Sequence, residues 1–318
     1  MIGAAKWAFL AFLDIEENKD AFEKAISECP EAIQFVSDPP VWLQKKATEK
    51  YPNVIKHIVN PDIVVQRDII ERDCGLIHYI IDPTTEIQLM AIDRNPYAIQ
   101  HIRKPDFAAQ LAAVKSYGNT IEHIDDPSFE VQMAAVTQNG MSIFYIPCAS
   151  LEIQMAAVMN SPDAIQYITD PAPCVQVAAV EQNAMCIGFI QHQCKEAKLA
   201  AIKNDPMVYR RITDPDMDIQ LATVVRDPMA IKLINNPHPV VQLKAVKKNP
   251  LSIQHIRNPT EAAQKCAVDD NWYNIRLITN PTDDVQMLAI KKNADAYSYI
   301  AYPCQRAIAY REETSVCS

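Results

Sequence analysis

Glu130-Val131-Gln132-Met133-Ala134-Ala135-Val136 decides how this chain is read, because it is one copy of a unit that recurs along the whole sequence. Its glutamine returns at Gln44, Gln66, Gln88, Gln110, Gln132, Gln154, Gln176, Gln220, Gln242, Gln264 and Gln286, every 22 residues except across Lys198, which holds the missing place. A fixed period of this length marks a stacked repeat protein, in which each unit buries its apolar side against its neighbours. The expectation is an all-α chain of about 13 two-helix units. Residues 1–15 are read as an N-terminal capping helix, 16–303 as the repeat body and 304–318 as a C-terminal cap with a frayed polar tail from Arg311.

Working outward from the glutamine, the copy at 82–104 shows the rest of the unit. Asp82-Pro83 reads as an Asp N-cap with Pro at the first helical position, where a missing N–H costs nothing. The pair recurs at Asp38-Pro39, Asn60-Pro61, Asp126-Pro127, Asp170-Pro171, Asp214-Pro215, Asn236-Pro237, Asn258-Pro259 and Asn280-Pro281. A helix of roughly three turns follows, apolar almost all round, which predicts a place between neighbours rather than on a surface. Asn95-Pro96 then restarts the chain with a second cap and a shorter helix, α or 3-10, since apolar residues three apart over so few positions do not separate the two. The aliphatic that closes it stands in every copy, from Val36 and Ile58 through Ile102 and Ile146 to Ile300.

Composition narrows the class. Gly numbers 5 and Pro 22, which suits helices joined by rigid corners and speaks against a β-rich fold. The nine Cys occupy different columns without paired spacing and read as apolar fillers in a reducing compartment. Met1 to Leu13 is too short, and broken by Lys6, to read as a secretory leader; no stretch reaches the length of a membrane span. The reading is a cytoplasmic protein with no membrane partner. A net charge of −9 disfavours general nucleic-acid binding. The chain shows no Gly-rich phosphate loop and no zinc-protease helix, so no enzyme activity and no cofactor are expected.

The pattern Asp-Pro, Val-Gln, Ala-Val, Asn-Pro and paired Ile resembles two families of short helical repeats: the leucine-rich-repeat variants, and 22-residue α-hairpin repeats of bacterial, phage and giant-virus proteins. The likeness covers about residues 16–303. Gln stands where the variant family has Arg, and the iron–sulfur cysteines of one branch of that family have no counterpart. The resemblance implies a right-handed α-solenoid without enzymatic activity, in a phage or other viral accessory role that includes a virion component. It carries over no functional residues.

Two columns are candidates for function. A glutamine inside an apolar helix must find partners, and the reading is a structural ladder of amides bonded to the corner backbone of adjoining units; Phe22 and Ile308 stand in the column beyond its ends. The residue before the fixed aliphatic forms a stripe of His57, Tyr79, His101, His123, Tyr145, Tyr167, Phe189, Arg211, Leu233, His255, Leu277 and Tyr299. Side chains of this kind pack with wet tips or serve as recognition anchors, and adjacent units would bring their rings within stacking range. Arg210 and Arg211 stand together in a basic stretch with Lys198 and Lys203. A zinc reading of His101, His123 and Asp126 has suitable residue types but no ligand spacing.

Residues 105–194 carry Lys115 against nine acids, whereas 195–292 carry 15 basic and 11 acidic side chains. The unit at 185–206 is irregular, with His192-Gln193 at its corner and Lys198 in the glutamine column, and Pro147 comes two residues early. The function expected is a scaffold that grips another protein along its concave face. The alternative is single-stranded nucleic-acid binding, one unit per base, read by the neighbouring column of Gln34, Lys56, Gln100, Glu122, Gln166, Arg210, Lys232, Gln254 and Arg276.

Overall fold

The computed structural model describes residues 6–316, and among them the chain is helical with no strand. Its contacts divide it into two units, residues 1–167 and 168–318. In each unit an α-helix of ten residues alternates with a 3-10 helix of six, as in Thr85–Arg94 followed by Pro96–His101 and Phe129–Gln138 followed by Gly140–Tyr145. The short second helix is therefore 3-10 throughout. Within each unit consecutive α-helices lie against one another, as do consecutive 3-10 helices.

The asparagine between the two helices of a repeat ends one and starts the other. Asn95 is extended (φ −152°), its N–H closes the α-helix on Ala91 O, and its side chain accepts from Tyr97 N. Asp73, Asn139, Asn183, Asp205, Asp227, Asn249, Asn271 and Asn293 cap their 3-10 helices in the same way. A short acceptor side chain bonded two residues ahead is the usual N-cap device.

The Asp-Pro corner corrects the reading made from sequence. The α-helix N-cap is the residue after the proline: Asp62, Ser128, Asp216 and Thr260 accept from the first helical turn, as does Ser150 at the corner where the proline comes early. The corner Asp has a different task. Asp126, Asp170 and Asp214 take positive φ (46°, 53° and 44°), a left-handed turn that Asn and Asp adopt more readily than other side-chained residues. The proline behind it excludes the helical conformation at the preceding residue, so the helix starts only two places later.

Each repeat buries the same set. In the copy at 82–104 it is Ile87, Ala91, Ile92, Ala98, Ile99 and Ile102, all at most 6% exposed. Two alanines in the set let the helices approach closely, and each buried Ile contributes about 2–3 kcal/mol of transfer free energy. At the N-terminal end the 3-10 helix Ala8–Phe12 supplies Leu10, which with Trp7 covers the fully buried Phe22; residues 1–5 of the expected capping helix lie outside the described residues. At the other end the α-helix Gln305–Val316 runs on through the stretch expected to fray, with Arg311 lying 4.4 Å over the Tyr297 ring.

The α-helices are not sandwiched on all sides. Their inner faces and flanks are covered, but the outer edge opens to solvent at Leu89, Phe107, Phe129 and Leu151.

Candidate interaction surfaces

Glutamines of the column bond to the corner of their own repeat, and several of them also clip it to the next corner. Gln88 Nε2 donates to Pro83 O of its own corner at 2.8 Å, and its Oε1 accepts Asp106 N–H of the following corner at 2.8 Å. The same pair of bonds is made by Gln44 to Pro39 O and Asp62 N, and by Gln176 to Pro171 O and Cys194 N. Gln242 joins Pro237 O to Thr260 N, Gln264 joins Pro259 O to Thr282 N, and Gln286 joins Pro281 O to Cys304 N. These six are 3–6% exposed, so the side chains with both amide ends bonded are the deeply buried ones. Gln66, Gln110, Gln132 and Gln154 donate to Pro61, Pro105, Pro127 and Ala149 O, and Gln220 accepts from His238 N. Gln66 Oε1 is buried without a hydrogen bond.

The irregular repeat rebuilds this clip from other residues. Lys198 Nζ donates to Thr213 O at 2.6 Å. Gln193, at the place where regular corners have proline, donates to Arg211 O and accepts Thr213 N–H. A proline has no such amide to offer, so the loss of Asp-Pro and the loss of the column glutamine compensate one another.

A second ladder escaped the sequence reading. The last residue of an α-helix donates to the open carbonyls at the end of the preceding α-helix: Arg72 to Thr48 and Glu49 O, Asn160 to Thr137 O, Asn204 to Val180 and Glu181 O, Lys292 to Asp269 O, and Lys248 to Val225 O. Helix C-termini leave carbonyls without intrahelical partners, and in these repeats the next one satisfies them. The signal was present as a column of long or amide side chains at the same period.

The stripe lies on the 3-10 side. In the first unit His57, Tyr79, His123 and Tyr145 are half-buried, while His101 and Tyr167 are exposed. Ring contacts run diagonally rather than straight down the column. Phe144, one residue before Tyr145, meets Tyr167 at 5.0 Å, His78 meets His101 at 5.7 Å and Tyr97 meets His123 at 6.0 Å. Phe144 is itself 61% exposed, so this patch presents ring faces to solvent. Burial, then the nearby Glu122 carboxylate, holds the Tyr145 phenol above its ordinary value. In the second unit Arg210, Arg211 and His255 are exposed, and the Arg211 side chain crosses Gly188, where an added Cβ would lie 2.8 Å from its guanidinium. Tyr273 packs against Tyr299 at 5.0 Å with Arg276 over its ring. Among the described residues no three His, Cys, Asp or Glu side chains converge as a metal site would require, and no helix is long and apolar enough to cross a membrane.

Fold and surface together define an all-helical repeat protein whose columns divide into buried clips and exposed rings. Comparison with protein-family models, with curated proteins and with solved structures finds no match to this chain.

Proposed function

We propose that this chain is a non-enzymatic repeat scaffold, a right-handed α-solenoid of the short α-hairpin kind, that grips another protein along a concave face carrying the ring stripe. The supporting observation is the patch of Phe144, Tyr145 and Tyr167, where the Phe144 ring contacts both tyrosine rings and Phe144 and Tyr167 are exposed. Rigid rings already held by neighbours lose little entropy on binding and offer large apolar area, which is why such residues dominate protein interfaces. The resemblance to repeats of phage and giant-virus proteins suggests a viral accessory or virion setting for the same activity. Single-stranded nucleic acid is the weaker occupant of this patch, because Glu122 lies near Tyr145 and residues 105–167 hold seven acidic side chains against one basic, which would repel phosphates.

Site-specific photo-crosslinking tests the proposal in the cells that make the protein. A benzophenone side chain at Phe144 or Tyr167 is expected to give one discrete adduct with the same protein, lost on Tyr145→Ser, while a probe at the exposed Lys203, on an α-helix of the other unit, gives none. No adduct from the ring positions, or the same adduct from all three, overturns the reading. An adduct with nucleic acid instead, abolished by salt, transfers the patch to the alternative.

A further inference from the structure

The α-helical side of the first unit carries a second surface that the rings do not use. The first residue of each α-helix lies at the outer edge, and there Phe107 is 52% and Phe129 47% exposed. With Leu111 and Met133 they line a groove of about 630 Å³ between the helices Phe107–Ser116 and Phe129–Gln138. Leu151 continues the strip one repeat further, 49% exposed.

The fold does not require apolar side chains at these places. The same first position holds Lys195, Glu261 and Asp283 in other repeats, and the position of Leu111 and Met133 holds Lys45, Arg67 and Lys265. There they form ion pairs along the outer edge, Arg67 with Glu86, Lys195 with Asp216 and Asp218, and Lys265 with Glu261 and Asp284. Apolar residues stand at these places in other repeats too, as at Leu89, Leu199 and Met217, but Phe107, Phe129 and Leu151 put large apolar side chains at the first position of three consecutive α-helices. A contiguous apolar strip that the fold does not require marks a surface that something covers.

Charge identifies the kind of cover. Between residues 105 and 167, Lys115 is the single basic side chain against seven acidic ones. Glu130 and Lys115 both line the groove, and Glu152 stands at the place of Glu130 in the next repeat. Their own backbone N–H groups, then Ser128 and Ser150, hold both carboxyls below the ordinary value and so keep them charged. An apolar groove with one carboxylate at its border and a second one repeat on, in a stretch of seven acidic side chains and one basic, complements a helix with an apolar face and Lys or Arg along its flank; a neutral helix gains less and an acidic one is repelled.

We infer that the groove between Phe107–Ser116 and Phe129–Gln138 binds a basic amphipathic helix of a partner protein. The groove opens on the α-helical side, so this holds or fails independently of the ring stripe.

Selection from a displayed library of helical peptides about 16 residues long, with apolar and flanking positions varied, tests it on the intact chain. The expected outcome is enrichment of peptides with apolar residues at i, i+4 and i+7 and a cationic flank. Their affinity falls by about tenfold or more with Phe107→Ser or Met133→Ser, and their charge preference inverts with Glu130→Lys plus Glu152→Lys. Phe144→Ser on the ring side leaves binding unchanged, and circular dichroism of each variant reports intact folding. No enrichment, enrichment of acidic peptides, or indifference to Phe107→Ser overturns the inference. So does a concentration-dependent dimer of the full chain, in sedimentation, that Phe107→Ser dissolves, because the groove would then hold a second copy.

Discussion

Replacing Gln88 by Ala should cost far more than the same change at Gln66, although the two glutamines occupy one column. Gln88 is 3% exposed and closes both bonds at 2.8 Å, so truncation leaves Pro83 O and Asp106 N–H without their partner. Each bond contributes about 1 kcal/mol net, and leaving a partly buried backbone group unpaired adds about 1 kcal/mol or more, for a total of roughly 2–4 kcal/mol. Gln66 gives up only its bond to Pro61 O, and its truncation also removes the buried, unbonded Oε1, so the expected loss is about 1 kcal/mol or less. Gln66 is half-buried where Gln88 is buried, so a smaller loss of methylene packing at Gln66 adds to the difference in the same direction. Urea unfolding followed by circular dichroism reads the difference, with both variants fitted to one nearest-neighbour scheme, because repeat arrays need not melt as a single unit. Equal midpoints for the two variants would refute the idea that the clip to the next corner, rather than the side chain's bulk, is what the column supplies.

Three further outcomes follow from single residues. Ser252→Ala should stabilise the chain by roughly 0.5–1.5 kcal/mol, since Ser252 Oγ is fully buried without a hydrogen bond and Ala fills that column at Ala98, Ala164 and Ala230; a lower urea midpoint would contradict this. Gly140→Ala should destabilise by about 1–3 kcal/mol, because a Cβ there would sit 2.3 Å from the Ala157 carbonyl, whereas at Gly75 the nearest atom is the Asp73 carboxylate at 3.2 Å and the change should stay within about 1 kcal/mol; thermal melts of the two variants compare them directly. Burial, then Lys56, holds the His57 imidazole below its ordinary 6.5, so the unfolded chain binds that proton more readily and stability falls as pH drops below the ordinary value towards the folded one; His57→Gln should lose less stability between pH 7.5 and pH 5 than the parent, and an identical loss would exclude His57 as a contributor.

Much of the fold could be read from the period. The buried aliphatics at Ile99 and Ile102 and the Asn95 cap are local chemistry, repeated often enough to stand above noise. The corner misled because Asp, Ser and Thr all serve as N-caps, and only backbone geometry separates the left-handed Asp126 from the capping Ser128 two residues later. The 3-10 character of the second helix was undecided because six residues with Ile99 and Ile102 three apart fit either helix. The groove at Phe107 and Phe129 stayed hidden for a different reason. A helix apolar all round is read as buried all round, and only the stacked arrangement shows which edge no neighbour reaches. The diagonal contact of Phe144 with Tyr167 likewise joins two columns that spacing alone keeps apart.

Amide hydrogen exchange on the unaltered protein tests most directly whether glutamine amides hold each repeat to the next. The N–H groups of Asp106, Thr260, Thr282 and Cys304 lie in corners outside any helix, yet each is bonded to the glutamine of the preceding repeat. They should exchange as slowly as the helices they join, while Thr84, at the same place after Gln66, exchanges as an open loop. Uniformly fast exchange at all five corners would contradict the account.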